Sequence, residues 1–204
     1  MCTRFYVEPD IEETRELIAE IRGSKLADKF IKAGSAILTS GEIRPTNVVP
    51  VIAPDRNGRK SAFPMKWGFQ IPGRSLIVNA RTESAAQKPT FKESWKSRRC
   101  IIPASWYFEW EHLTGANGRK KTGDKYMIQP AGSSITWLAG LYRIEGGFPV
   151  FAVLTREPTE ELRRIHDRMP LIMPRDLIDD WINPEAKPEE LVKFALTDMM
   201  EEKV

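Results

Sequence analysis

The sequence predicts an α+β chain, and three observations carry that prediction. Between residues 100 and 154 lie five apolar or aromatic runs, several bounded by Gly or Pro, as β-strands are. Apolar residues at helical spacing stand on either side of that block. No internal repeat, low-complexity tract or interdomain linker breaks the 204 residues. With 41% hydrophobic residues, six Trp and nine Phe, the chain can bury a sizeable core. The expectation is one domain over residues 1–204 with a mixed or antiparallel, β-barrel-like core flanked by helices. Residues from about 186 to 204 form an acidic C-terminal extension of it.

Taken in order, Arg4-Phe5-Tyr6-Val7 is rich in β-formers and reads as a short first strand. Asp10 opens a helix over 11–21, with Ile11, Leu17, Ile18 and Ile21 on one face and an acidic first turn. A second short helix near 25–32 ends at Gly34. Prolines at 45 and 50 make 41–50 extended or looped, and the apolar strand Val48–Ile52 follows. Phe63-Pro64-Met65-Lys66-Trp67-Gly68-Phe69 is an aromatic strand ending before Pro72-Gly73. Leu76–Val78 is a buried strand leading into Asn79-Ala80-Arg81, and 90–96 is a short helix. The strands of the middle are Cys100–Ile102, Trp106–Trp110, Tyr126–Gln129, Ile135–Tyr142 and Pro149–Leu154. Helices resume at 158–165, 176–182 and 189–194.

Composition bounds the function. No apolar run approaches the ~20 residues of a membrane span. Arg4, Glu8 and Asp10 stand where a signal peptide would be apolar, so a cytoplasmic protein is expected, nucleoid-associated if bacterial. Two cysteines make no disulfide framework, and Cys100, within Arg99-Cys100-Ile101-Ile102, reads as a core thiol. Residues 176–204 carry nine acids against three lysines, so the net charge of +3 hides a strong surplus of cations in residues 1–175. Such a surplus suits a polyanion partner. The cluster Arg119, Lys120, Lys121, Lys125 reads as a solvated loop beside the turn at 114–118.

Cys2 is the residue around which the chemistry gathers. Loss of Met1 would leave an α-amine and a thiol on one residue, titrating near ~8 and ~8.5. The amine condenses with an aldehyde to an imine, and the sulfur closes on the same carbon as a thiazolidine. Polar groups intrude into apolar strands at three other places. Glu109, inside Trp106-Tyr107-Phe108-Glu109-Trp110, either points to water or is buried with a raised pKa suited to acid–base work. Asn79 and Arg81 fall on one side of an extended segment; they are a turn Asn with a surface Arg, or an amide and a guanidinium for an anion. His166, in His166-Asp167-Arg168-Met169-Pro170, is a helix-end His or a proton shuttle. His112 reads as a surface residue.

Met1-Cys2-x-Arg4-Phe5, Asn47-Val48-Val49-Pro50, Lys66-Trp67-Gly68-Phe69, Asn79-Ala80-Arg81-x-Glu83, Trp106-Tyr107-Phe108-Glu109-Trp110, Val153-Leu154-Thr155 and His166-Asp167-Arg168-Met169-Pro170 together resemble the SRAP family. These are the SOS-response-associated peptidase domains, or abasic-site processing proteins. The resemblance covers roughly residues 2–185. It implies that Cys2, freed of Met1, traps the aldehyde of an abasic site in single-stranded DNA as a thiazolidine crosslink, without metal or cofactor. It implies that Asn79 orients the amine, Glu109 assists ring opening and proton transfer, and His166 serves the imine step. It further implies that Arg4, Arg81 and Arg168 bind phosphates with Thr155 nearby, and that Asn47, Pro50 and Trp67 line the DNA path. A monomer is expected, with replication or repair proteins as further partners. The chain departs from the family's pattern at Thr3, where Gly is usual, at Arg74-Ser75, where aromatics are expected, and at Met169, where a polar or basic residue is expected.

Two rival readings remain open on the sequence. One is an N-terminal-nucleophile cysteine amidohydrolase or peptidase, including one that removes its own Met1. The other is a non-covalent module for single-stranded or modified-base DNA with a passive Cys2.

Overall fold

The computed structural model describes residues 2–9, 11–114 and 120–204; Met1, Asp10 and residues 115–119, including Arg119, fall outside them. The elements run β1 (Phe5–Val7), α1 (Glu12–Ile21), α2 (Lys25–Lys32), β2 (Gly41–Ile43), β3 (Val48–Pro54) and β4 (Lys60–Trp67). There follow β5 (Asn79–Arg81), α3 (Thr82–Ala85), α4 (Lys92–Ser97), β6 (Arg99–Ala104), β7 (Trp106–Thr114) and β8 (Lys120–Pro130). The last are β9 (Thr136–Glu145), β10 (Phe148–Arg156), β11 (Met169–Pro170), α5 (Ile178–Ile182), α6 (Pro188–Leu191) and β12 (Met199–Lys203).

Five strands close into a barrel. β10 pairs with β9 and β4, β4 with β3, β3 with β6, and β6 with β9, so the ring of ladders is complete. Closure removes the unpaired edges that an open sheet would present. One ladder, β10 with β4, is parallel and the other four are antiparallel. A second sheet has the order β12-β8-β7-β1-β2.

Both faces of β3, β6 and most of β10 are buried, which explains why they read as apolar runs rather than as alternating patterns. On β6, Cys100, Ile102 and Ala104 belong to one buried cluster and Ile101 to another. β10 divides the same way, with Phe151 and Val153 in the first cluster and Val150, Ala152 and Leu154 in the second. The second cluster is the floor for Trp95 of α4 and Trp181 of α5. Between those elements sits Arg99, wholly buried, whose guanidinium donates to the carbonyls of Trp95, Lys96, Trp181, Asn183 and Ala186. Gly68 is required where it stands: its φ is +117°, and a Cβ there would lie 2.6 Å from Leu76.

Five expectations change. Leu76–Val78 is not a strand; only Ile77 bridges to Phe69, and the ladder with β10 begins at Asn79. The helix expected over 158–165 is one 3-10 turn, Glu161–Arg164. That over 176–182 begins as a 3-10 turn at Arg175–Leu177, and the third shortens to α6. The acidic C-terminal stretch forms β12, an edge strand on β8 with register Met199↔Pro130 to Lys203↔Tyr126. Among the described residues no helix is long and apolar enough to cross a membrane.

Candidate active site

The site lies where the second sheet meets the barrel, and the pairings that place it are non-local. β1 runs antiparallel to β7 with Phe5 opposite Tyr107, and the Phe108 amide donates to the Arg4 carbonyl at 3.0 Å. This register brings Glu109 alongside the residues that precede β1. On the other side β5 lies parallel to β10, with Asn79 opposite Val153 and Arg81 opposite Thr155. β11 covers the end of β10 and pins the segment that carries His166 and Arg168.

Cys2 is fully buried, at 0% exposure. Asn79 Nδ2 donates to its carbonyl oxygen at 2.9 Å. Asn79 Oδ1 is also buried and has no hydrogen-bond partner among the described residues. Burial pushes the Cys2 thiol far above its ordinary pKa, and the charge of Glu109 pushes the same way. The sulfur is therefore a neutral thiol, its proton directed to the Arg4 carbonyl 3.8 Å away.

Glu109 is 4% exposed, and burial raises its carboxyl to about 7 against the pull of the positive amino terminus. His166 Nε2 stands 3.8 Å from Glu109 Oε2. Burial depresses His166 to about 4, assisted by the amino-terminal charge and by His112. The ring is thus neutral near pH 7, and its contact with Glu109 is not an ion pair. Its Nδ1 accepts the Arg168 amide N–H at 3.0 Å and lies 2.8 Å from Asp167 Oδ1, while Nε2 faces Glu109. A carboxyl that titrates near neutrality beside a neutral imidazole can give and take protons without a change of pH.

His112 is exposed, as expected, but its ring lies 4.0 Å from that of His166, centroid to centroid. Ligand atoms of His112, His166 and Asp167 come within 4.8 Å of one another.

The expected anion-binding residues separate into two groups. Arg81 is exposed and Arg4 half-buried, the latter 3.6 Å from Glu42, a carboxylate that also holds Arg44 and Lys125. Arg168, 9% exposed, forks onto Glu83 at 2.8 and 2.9 Å and donates to the Thr155 carbonyl at 2.7 Å. Thr155 is buried, its hydroxyl donating to Ala80 O at 3.4 Å. Asn47 Oδ1 accepts the Arg44 amide and shapes the turn before β3.

Two residues expected along the DNA path lie in the core instead. Trp67 is 0% exposed, packed between Phe5 and Phe151, its indole N–H donating to Val78 O at 2.9 Å. No face of that ring is open for stacking. Pro50 is buried in β3 opposite Pro64. Met169 is buried with Leu162 and Ile165 in the first cluster, so an apolar residue fits there. Glu83 entered the sequence reading only through the motif Asn79-x-Arg81-x-Glu83 and His112 only as a surface residue; neither was given a part in the site.

A family model described as SOS response associated peptidase (SRAP) matches residues 1–204. The chain belongs to the SRAP family. Among its SRAP relatives, abasic site processing protein YoaM of Bacillus subtilis is 32% identical over 181 residues, 83% of this chain and 77% of that protein. Abasic site processing protein YedK of Escherichia coli is 29% identical over 205 residues, 96% of this chain and 85% of that one. The SRAP fold is matched by a Bacteroides thetaiotaomicron crystal structure at TM-score 0.74 and 21% identity, covering 100% of this chain and 92% of the other.

Proposed function

We propose that this SRAP chain processes abasic sites in single-stranded DNA by becoming covalently bound to them through Cys2, once Met1 has been removed. The observation that carries the proposal is the Asn79 hydrogen bond to the Cys2 carbonyl, in a buried site shared with Glu109 and His166. An abasic site lacks the base that would block C1′, and its ring-opened form is an aldehyde there. The α-amine of Cys2 adds to C1′, the resulting carbinolamine loses water, and an imine forms. The thiol then adds across the imine: sulfur bonds to C1′ and its proton passes to nitrogen. One water is lost overall, and the ring closed is a thiazolidine.

Each residue has a part that follows from its surroundings. Asn79 holds the Cys2 carbonyl with its NH2 and offers the buried Oδ1 to the new amine. Glu109, poised near 7, delivers the proton that turns the carbinolamine hydroxyl into water. His166, neutral near pH 7 with Nε2 3.8 Å from the Glu109 carboxyl, exchanges that proton with it. A neutral thiol suits a path in which the imine forms first, because the amine rather than the sulfur makes the opening attack. Arg81 and Arg4 take phosphates on either side, and Arg168 buttresses the strand end beneath them.

Denaturing electrophoresis with an abasic single-stranded oligonucleotide tests the proposal. The wild type should give a heat-stable shifted band and Cys2→Ala none. Equal bands would sink it. Incubation with glutamine checks the amidohydrolase alternative, for which release of ammonia would be required.

A further inference from the structure

We infer that the Tyr107 phenol is part of this site and donates a hydrogen bond to an oxygen of the bound abasic deoxyribose. The inference rests on the reading given above, that the lesion enters the Cys2 site.

Tyr107 lies two residues before Glu109 on β7, so the two side chains leave the strand on one face. It stands opposite Phe5 in the β1 ladder and packs in the same buried cluster as Cys2, Ile165 and Met169. The residue is 0% exposed, and its hydroxyl has no hydrogen-bond partner among the described residues. Burial holds the phenol well above its ordinary pKa, and charge on Cys2, Glu109 or Glu201 would raise it further. The hydroxyl is therefore a donor that keeps its proton throughout the reaction.

A buried tyrosine hydroxyl normally finds a partner, and one left without it destabilises the fold. Phenylalanine would fill the same volume without that cost. An unpartnered hydroxyl in the cluster that encloses the nucleophile has a use when something polar enters. Asn79 Oδ1, the neighbouring buried atom without a partner, is matched to the amine of Cys2. Tyr107 is left to match the ligand, and the oxygens that an opened deoxyribose brings to the Cys2 sulfur are hydroxyl and carbonyl oxygens, both acceptors. Tyr107 makes and breaks no covalent bond in this scheme.

Tyr107→Phe separates this role from a structural one. The variant should melt at the same temperature as the wild type or higher, since it loses only an unmatched oxygen. It should bind base-containing single-stranded DNA as the wild type does. Its crosslinking rate constant at saturating abasic DNA should fall about tenfold, the effect of one hydrogen bond made in the reacting complex. A lower melting temperature would mean that the hydroxyl already has a partner in the free protein, and would overturn the inference. Equal crosslinking rates would overturn it alone. A wild type that forms no crosslink would overturn the reading on which it rests, and the inference with it.

Discussion

Asn79 donates from Nδ2 to the carbonyl oxygen of Cys2 at 2.9 Å, across 77 positions of the chain. The bond fixes the residue on which the proposed chemistry depends, and it exists only because β5 lies beside β10 while β1 lies beside β7.

Asn79→Ala should therefore slow crosslinking without abolishing DNA binding. It leaves the Cys2 carbonyl without its donor and the new amine without an acceptor. A loss of roughly 10- to 100-fold in the single-turnover rate is expected from about 1–3 kcal/mol. An unchanged rate would show that the bond is incidental.

The pH dependence follows from two shifted groups. Glu109, raised from 4.5 to about 7, should impose an apparent pKa near 7 on the crosslinking rate, absent in Glu109→Gln. A profile identical in both proteins would remove Glu109 from the mechanism. Stability should respond as well. With a raised folded pKa, the unfolded chain releases the Glu109 proton first, so its contribution to stability falls as pH rises from about 4.5 to 7. His166, lowered from 6.5 to about 4, acts in the opposite sense: its contribution is present above 6.5 and lost as pH falls toward 4. The two nearly cancel between 4.5 and 6.5. Above pH 7 only the Glu109 cost remains, so Glu109→Gln should be more stable than wild type there by a few kcal/mol, on the order of 3, in denaturant titrations.

Much of this was legible in the sequence, and the exceptions share a cause. The strands of the barrel and both N-terminal helices were visible because burial and periodicity are local properties. Closure of the barrel was only a possibility, since the β10 ladders with β9 and β4 join distant segments. β12 was hidden because Met-Met-Glu-Glu-Lys carries no strand pattern; it is placed by its ladder with β8, by the ion pairs of Glu201 with Arg164 and Lys203 with Asp124, and by Met199 against the core. Trp67 could be seen as an aromatic, but whether it faced solvent or core depends on Phe5 and Phe151. His112 was rightly read as exposed, yet its contact with His166 arises across the fold.

Arg168→Lys should cost stability as well as binding. Lysine cannot reproduce the fork onto Glu83 while also serving the Thr155 carbonyl. A loss of about 1–3 kcal/mol is expected, read as a lower melting temperature. A variant as stable as the wild type would contradict the account of this clamp.

Salt should weaken binding to single-stranded DNA in proportion to the phosphates engaged. If Arg4 and Arg81 each neutralise one phosphate, replacing either by Ala should reduce the slope of log K against log salt by about 0.7. Unaltered slopes would place the DNA elsewhere.

The most direct measurement is the intact mass of the covalent species formed with an abasic single strand. The account predicts protein without Met1 plus oligonucleotide minus one water, joined at Cys2 and absent from Cys2→Ala. A species that retains Met1, or that forms equally in Cys2→Ala, would contradict it.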